Sequence, residues 1–357
     1  MDPGIFLAPA ADSWKVVKRA EELGYHRAWF YDTQLLNSEL FATMAAAAVH
    51  TSRIRLGTGV LIPSNRIAPV TASGLATLNA LAPGRIDFGV STGFTARRTM
   101  GVGPIPVAAL EEYVRVVRAL LAGETPEWTF EGAPRKIRFL NPGIGAVNIA
   151  DPIPLHIAAT GPRARALTAK LGAGWIHATA SVAHAAAAVA DMQRLWRAAP
   201  ERAVGAADLH ATSAIAGCVL ADGEAADGPR AKAQAGPTAM VALHSLVERE
   251  QFGDLGRPLP SELAPLLARY REIYLGYRPT DARYLENHRG HLMFLRPEEH
   301  AVCTAELIRA TTFTASRAEL RERVRELARA GFAHVGVTIR HGHPEMLEEW
   351  AEVLEVA

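Results

Sequence analysis

What most limits the fold of this chain is a repeat of form rather than of letters. A short apolar run is followed, again and again, by a stretch with apolar residues at helical spacing. "GIFLA" (4–8) reads as a strand, and "DSWKVVKRAEELG" as a helix with Asp12 or Ser13 at its N-cap and Gly24 as its stop. "RAWFYD" (27–32) is followed by "SELFATMAAAAVHTS", a helix that Ser38 can cap. "RIRLGTGVLI" precedes "VTASGLATLNALAPG", and "RIDFGVSTG" (85–93) precedes "LEEYVRVVRALLAG" (110–123). Strands separated by helices predict a parallel sheet, because parallel neighbours need a crossover connection.

The pattern lapses over a Pro/Gly-rich stretch at about 124–152. It resumes with "IPLHIAAT" (153–160), "PRARALTAKLG", "GWIHATA", a helix over 182–198 and "ATSAIAGCVL" (211–220). A larger irregular stretch spans about 223–312, and "SRAELRERVRELARAG", "AHVGVTI" and "PEMLEEWAEVLEV" close the chain as helix, strand and helix. Eight such units predict an α/β fold, a TIM (β/α)8 barrel. It is expected as a single domain over 1–357, with insertions after helix four (124–152) and strand seven (223–312). A doubly wound sheet would normally carry GxGxxG after its first strand, and none follows here. Gly101 and Gly103 sit beside prolines, away from a strand end, and read as loop.

Composition narrows the class of partner. Hydrophobic residues make up 49% of the chain, enough for a large core, and the net charge is only +1, which leaves no basic face for nucleic acid. The two cysteines, Cys218 and Cys303, exclude a disulfide framework and suit a reducing compartment. "MDPGIFLAPAADSWK" has neither a basic n-region nor a long apolar h-region, and the Ala-rich "FATMAAAAVH" is too short to cross a bilayer. A cytoplasmic protein acting on a small molecule is expected, without membrane or nucleic-acid partners.

In a TIM barrel the active site lies at the C-terminal ends of the strands. That rule selects Ala8-Pro9, Asp32-Thr33-Gln34, Thr58-Gly59-Val60, Ser91-Thr92-Gly93, Thr160-Gly161-Pro162, Ala178-Thr179 and Arg340-His341. Among these only Asp32 is acidic. There is no pair of carboxylates for glycoside hydrolysis, no HExxH and no GxSxG elbow. Glycines and small polar residues suit a flat organic cofactor that carries the reactivity itself. His288 and His291 in "YLENHRGHLMF", with His341 and His343 in "RHGHPE", read as loop histidines or substrate contacts rather than as a metal site.

The stretch "RIRLGTGVLIPSNRIAPVTASGLATLNALAPGRIDFGVSTGF" resembles the central motif of the bacterial luciferase-like superfamily. "AWFYD" before it and "IAATGPRARALTAKLGAGWI" after it fall in the same order and spacing. The superfamily holds reduced-flavin monooxygenases and F420-dependent reductases. The resemblance implies a bulge with a non-proline cis peptide at Thr58-Gly59-Val60, behind the cofactor ring. Gly57 and Gly59 would let the ring approach closely. It implies that Ser91, Thr92 and Gly93 meet the cofactor's side chain, and that Thr160, Gly161, Pro162 and Arg163 bind its phosphate at a helix N-terminus.

Two departures stand out. Many relatives place a histidine after the acidic residue of strand two, where this chain has Asp32-Thr33. Flavin-using relatives often carry an arginine near the start of helix four for the phosphate, where this chain has Ala109-Leu110-Glu111-Glu112, with Arg97 and Arg98 the nearest basic substitutes. The catalytic candidates are Asp32, Thr33 and His291, with Gln34 and His288 toward the substrate. The main expectation is a monooxygenase using reduced FMN and oxygen, supplied by a flavin reductase and assembled as a homo-oligomer. The alternatives are an F420-dependent hydride-transfer enzyme and a non-catalytic flavin-binding protein.

Overall fold

The computed structural model describes residues 1–199, 209–253 and 259–356. Eight parallel strands close into a barrel: β1 (Asp2–Leu7), β2 (Arg27–Phe30), β3 (Arg55–Thr58), β4 (Ile86–Val90), β5 (Leu155–Ala158), β6 (Gly174–Ala178), β7 (Ala211–Ile215) and β8 (His334–Ile339). β1 pairs with β8 in register from Asp2↔His334 to Leu7↔Ile339, which closes the ring. The fold is the expected TIM barrel, and its helices bury their apolar faces on the outside of the sheet.

Local chemistry sets the helix ends, in places differently from expectation. Helix Ser13–Leu23 stops at Gly24 in the left-handed conformation, as expected. The Asp12 side chain does not cap it; Ser13 Oγ instead accepts the Ala10 N–H at 2.8 Å, tightening the preceding turn. Helix Leu40–His50 is capped by Glu39, whose carboxylate accepts the Ala42 N–H at 2.7 Å, and not by Ser38. Only the first part of "ATSAIAGCVL" belongs to the barrel. Val219–Leu220 pairs instead with Ala315–Ser316, and this small parallel pair brackets the long insertion.

The two insertions differ in substance. The 124–152 stretch contains an antiparallel pair, Glu127–Phe130 with Ala133–Lys136. The 223–312 stretch contains the helices Pro229–Val247, Ala264–Gly276 and Ala305–Thr311, and has an apolar cluster of its own that includes Met240, Leu243, Tyr270 and Leu307.

The two glycines of β3 are explained by what lies inside the barrel. A Cβ on Gly57 would stand 2.3 Å from the Trp29 ring. A Cβ on Gly59 would stand 2.5 Å from Trp29 Cβ and 3.2 Å from the Phe6 ring. Phe6 stacks on Trp29 with centroids 5.9 Å apart and on Tyr31 at 6.3 Å. This aromatic layer fills the barrel below its C-terminal mouth, and the glycines make room for it. Beyond Thr58 the strand is irregular. The Gly59–Val60 peptide is cis, and the chain rejoins the sheet through a bridge between Leu61 and Val90.

The N-terminal end of the barrel is filled with charge. Asp87 is fully buried between Arg27, whose Nε donates to it at 2.8 Å, and Arg55, whose Nη2 donates at 2.8 Å. Burial alone would raise the Asp87 pKa, but His156, Arg55 and Arg27 beside it hold it well below the carboxylate range. Burial, together with the neighbouring Arg27, pushes His334 down to about 2. Burial and the charges of His156 and Arg27 take His210 down to about 4.

Candidate active site

At the opposite end, the mouth of the barrel holds a cavity of about 150 Å³. Its walls come from separate parts of the chain. The end of β2 supplies Tyr31, Asp32 and Thr33, and the segment after β3 supplies Val60 and Ile62. Phe94, Thr95 and Ala96 follow β4, and His291 and Leu292 come from the long insertion. Val60 also packs on the aromatic layer, so Phe6 and Trp29 form the floor beneath it. Three of the expected site residues from β2 and the insertion, Asp32, Thr33 and His291, therefore meet Val60 around one space. A larger cleft of about 300 Å³, between Ala80 and the 142–150 segment, is lined by no titratable side chain.

Asp32 is not a free carboxylate. It accepts the Ile62 N–H at 3.0 Å and the Arg66 Nη1 at 2.9 and 3.0 Å. Arg66 also pairs with Glu39. The buried acid thus ties the end of β2 to the segment beyond the cis peptide, and both of its oxygens are engaged. Gln34 is a tether as well. Its Nε2 donates to the Ala96 carbonyl at 2.5 Å, and its Oε1 accepts from Asn65 Nδ2 at 2.8 Å. Thr33 lines the cavity directly.

The cofactor candidates fall into two groups. Thr58 is fully buried; its hydroxyl donates to the Gly89 carbonyl at 2.6 Å and accepts the Gly89 N–H at 2.9 Å, so it fastens β3 to β4. Ser91 Oγ donates to the Ala158 carbonyl at 2.9 Å, and the Thr92 carbonyl accepts from Ile105 N. Gly93 turns the chain at a φ of 88°, where a side chain would be strained. Thr160, Gly161, Pro162 and Arg163 lie in the open after β5. Helix Pro162–Lys170 has no side-chain cap, and its first residue, Pro162, carries no N–H. Of the substitute arginines, Arg97 is engaged with the Gly103 carbonyl, and Arg98 is buried between Phe94 and Phe252 beside Glu248.

His291 is the most connected polar group of the cavity. Its Nε2 lies 3.0 Å from Thr95 Oγ1 and its Nδ1 lies 3.3 Å from His244 Nδ1. His244 Nε2 lies 2.6 Å from Glu299 Oε1, which also accepts from Arg296 Nη2 at 2.5 Å. Burial, reinforced by His288, His244, Arg340 and Arg296, holds the His291 pKa well below its ordinary value. His288 is placed behind His291, not in the cavity wall; its Nε2 bonds to Glu248 at 2.9 Å. Arg340, just past β8, is also buried. It donates to the Gln234 carbonyl at 3.0 Å and to Thr238 Oγ1 at 2.7 Å, and burial lowers it to about 10. His343 bonds to Glu345 at 2.8 Å. Among the described residues no group of three or more His, Cys, Asp or Glu is arranged to hold a metal ion.

The family model for luciferase-like monooxygenase matches residues 7–334. The chain belongs to the luciferase-like monooxygenase family. Its similarity to curated luciferase-like relatives is partial. An F420-dependent glucose-6-phosphate dehydrogenase of Beutenbergia cavernae is 36% identical over 141 residues, 37% of this chain and 40% of that one. A 5,10-methylenetetrahydromethanopterin reductase of Methanolobus tindarius is 30% identical over 176 residues, 48% of this chain and 52% of that one. The chain thus spans about half the length of the curated relatives it matches. Among solved structures, the coenzyme F420-dependent tetrahydromethanopterin reductase of Methanopyrus kandleri superposes with a TM-score of 0.69 at 18% identity, covering 100% of this chain and 99% of that one. A monooxygenase of Streptomyces bottropensis gives 0.60 at 17%, covering 99% of each. Both likenesses are of fold. No helix among the described residues is long and apolar enough to cross a membrane.

Sequence reasoning missed Arg66, Thr95, His244 and Glu299 in this luciferase-like site. Thr95 carries a usable signal, since it follows a strand end by a few residues. His244 and Glu299 carry none, because they lie on separate pieces of the insertion and meet only in space.

Proposed function

We propose that this luciferase-like protein is an F420-dependent oxidoreductase that moves a hydride between the deazaflavin ring and a small organic substrate at the barrel mouth. The observation that carries this reading is the identity of the curated relatives. Several at 34–36% identity are named F420-dependent glucose-6-phosphate dehydrogenase. The expectation of reduced FMN and oxygen gives way to F420 on that ground, and with it the need for a flavin reductase.

The cavity chemistry agrees. A flat ring needs an apolar shelf and few charges, and Val60 above the Phe6–Trp29 layer supplies the shelf. Bound there, the deazaflavin supplies two-electron hydride chemistry. Ser91, Thr92 and Gly93 would border its side chain, and the N–H groups of Gly161 and Arg163 would hold a phosphate. Asp32 would act through Arg66 and Ile62, keeping the Val60 segment in place. His291 would handle the proton that accompanies the hydride.

Calorimetric titration with F420 and with FMN tests the cofactor. F420 is expected to bind at least tenfold more tightly. A panel of sugar phosphates and simple secondary alcohols, followed by the loss of F420 absorbance, then finds the substrate. Tighter binding of FMN, with oxygen uptake in its reduced form, would reverse the reading.

A further inference from the structure

We infer that Glu299 and His244 are positioning residues that hold the proton of His291 on Nδ1, so that its Nε2 lone pair faces Thr95 and the cavity and the site accepts a proton from a hydroxyl-bearing substrate. The redox half of this statement rests on the F420 reading above; the proton arrangement does not.

The arrangement follows from donor and acceptor counting along one buried chain. Glu299 accepts from Arg296 through both oxygens, from Nη2 at 2.5 Å and from the backbone N–H at 2.9 Å. An anion so surrounded is ionised, and burial is outweighed by His244 and Arg296, which bring it to about 2. An ionised carboxylate can only accept, so His244 Nε2 carries a proton and donates it across 2.6 Å. His244 is fully buried, and burial keeps its imidazole neutral. Its Nδ1 is therefore a bare acceptor. The ring nitrogen 3.3 Å away, Nδ1 of His291, must be the donor. Neutral His291 then has a lone pair on Nε2, and Thr95 Oγ1 donates into it across 3.0 Å. Thr95 has used its only proton, so the lone pairs of its hydroxyl are what the cavity meets.

Such a wall receives a proton and has none to give. The matching substrate is an alcohol. Its carbon-bound hydrogen would leave as hydride, which F420 held at the mouth would take up, and the C–O bond would become C=O. Its hydroxyl proton passes to Thr95 Oγ1 while the Thr95 proton moves to His291 Nε2. The substrate loses a hydride and a proton, two electrons and two protons in all; the cofactor would take up the hydride, and the proton leaves His291 a cation. That cation can lean its Nδ1 proton toward His244 and so toward Glu299. The charged and titratable groups around His291 are His244 and Glu299 on one side, His288 with Glu248 behind, Arg296 and Arg340, and Tyr31 across the cavity.

The first test needs no cofactor. In protein labelled with 15N-histidine, NMR at neutral pH is expected to find His291 protonated on Nδ1 and bare on Nε2, and His244 protonated on Nε2. His244→Phe should release the lock, giving a mixed His291 tautomer. Glu299→Gln should weaken it while leaving the shelf residues untouched. A wild-type His291 that carries its proton on Nε2 overturns the inference, as does a His291 tautomer unmoved by His244→Phe.

The second test uses the loaded enzyme and the substrate found by the panel. Glu299→Gln is expected to lower kcat about tenfold with little change in KM and to shift the pH profile, whereas His291→Ala loses at least about 100-fold. Unchanged kcat in both variants overturns the catalytic half. Failure of F420 to bind while the spectra show the expected tautomers overturns the proposed function and supports the lock.

Discussion

The two ends of this barrel are built on opposite principles. The N-terminal end packs Asp87, Arg27, Arg55, His156 and His334 into a sealed network in which the buried carboxylate is met by two guanidinium groups. The C-terminal end has an aromatic floor and a cavity whose one acidic wall residue, Asp32, has both oxygens engaged. Both ends bury polar groups. At the bottom the buried carboxylate is shared by two guanidinium groups inside the barrel, and the result is rigidity. At the top the polar chain running through His291 ends on a hydroxyl that lines the cavity. The lesson is that burial of polar groups is structural when the network closes on itself and functional when one end is left toward a ligand.

The comparison can be broken from below. Asp87→Ala leaves Arg27 and Arg55 as uncompensated charges and is expected to cost about 3–5 kcal/mol, read from the urea midpoint. F420 affinity of the folded fraction should hardly change. A large loss of affinity without a loss of stability would mean the two ends are not separate.

Gly59→Val attacks the boundary between floor and cavity. Its Cβ would meet Trp29 at 2.5 Å, and overpacking of this kind costs about 1–3 kcal/mol. Because Trp29 belongs to the floor, stability and cofactor binding should fall together. Normal thermal stability with lost binding would show that the glycine serves the ring alone.

Acid should act on the histidines of the bottom. His334 and His210 are held near 2 and near 4 in the folded protein, against about 6.5 when unfolded. The unfolded chain therefore takes up more protons below about pH 6.5. Stability is complete above that pH and falls as pH drops through it, by roughly 2 kcal/mol from His334 at pH 5 and by less from the partly exposed His210. Urea midpoints at pH 7 and pH 5 measure the loss. A flat profile would mean the histidine cluster is solvated and not sealed.

The smallest effect concerns the open turn after β5. Arg163 is exposed, so Arg163→Ala should leave the melting temperature unchanged. F420 binding should weaken by up to about tenfold, or ~1.4 kcal/mol, with no change for the deazaflavin chromophore lacking its phosphate. Equal losses for both ligands would move the phosphate elsewhere.

Much of the fold was legible. Strand–helix alternation led to the barrel, and the motif around Gly57 and Gly59 led to the irregular strand end. The site was legible in part, because the C-terminal strand rule reaches any residue close to a strand end. Asp32, Thr33 and Val60 were found that way. The rule did not reveal that Asp32 is bound by Arg66, since the two lie 34 residues apart in the chain. The resemblance implied that the glycines let the cofactor ring approach; in the structure their nearest neighbours are Trp29 and Phe6.

The sequence by itself determined the sequence of strands and helices, the parallel sheet and the resemblance to one family, because period and spacing are local properties. Tertiary structure alone decided which polar groups are spent on one another and which remain for a ligand. Asp32 was committed by Arg66, Thr58 by Gly89, and His291 was oriented by His244 and Glu299. The physical reason is that a hydrogen-bond donor or acceptor has no fixed role until its neighbours are chosen. In this chain the neighbours come from distant segments, brought together only when the barrel closes and the long insertion packs over its mouth.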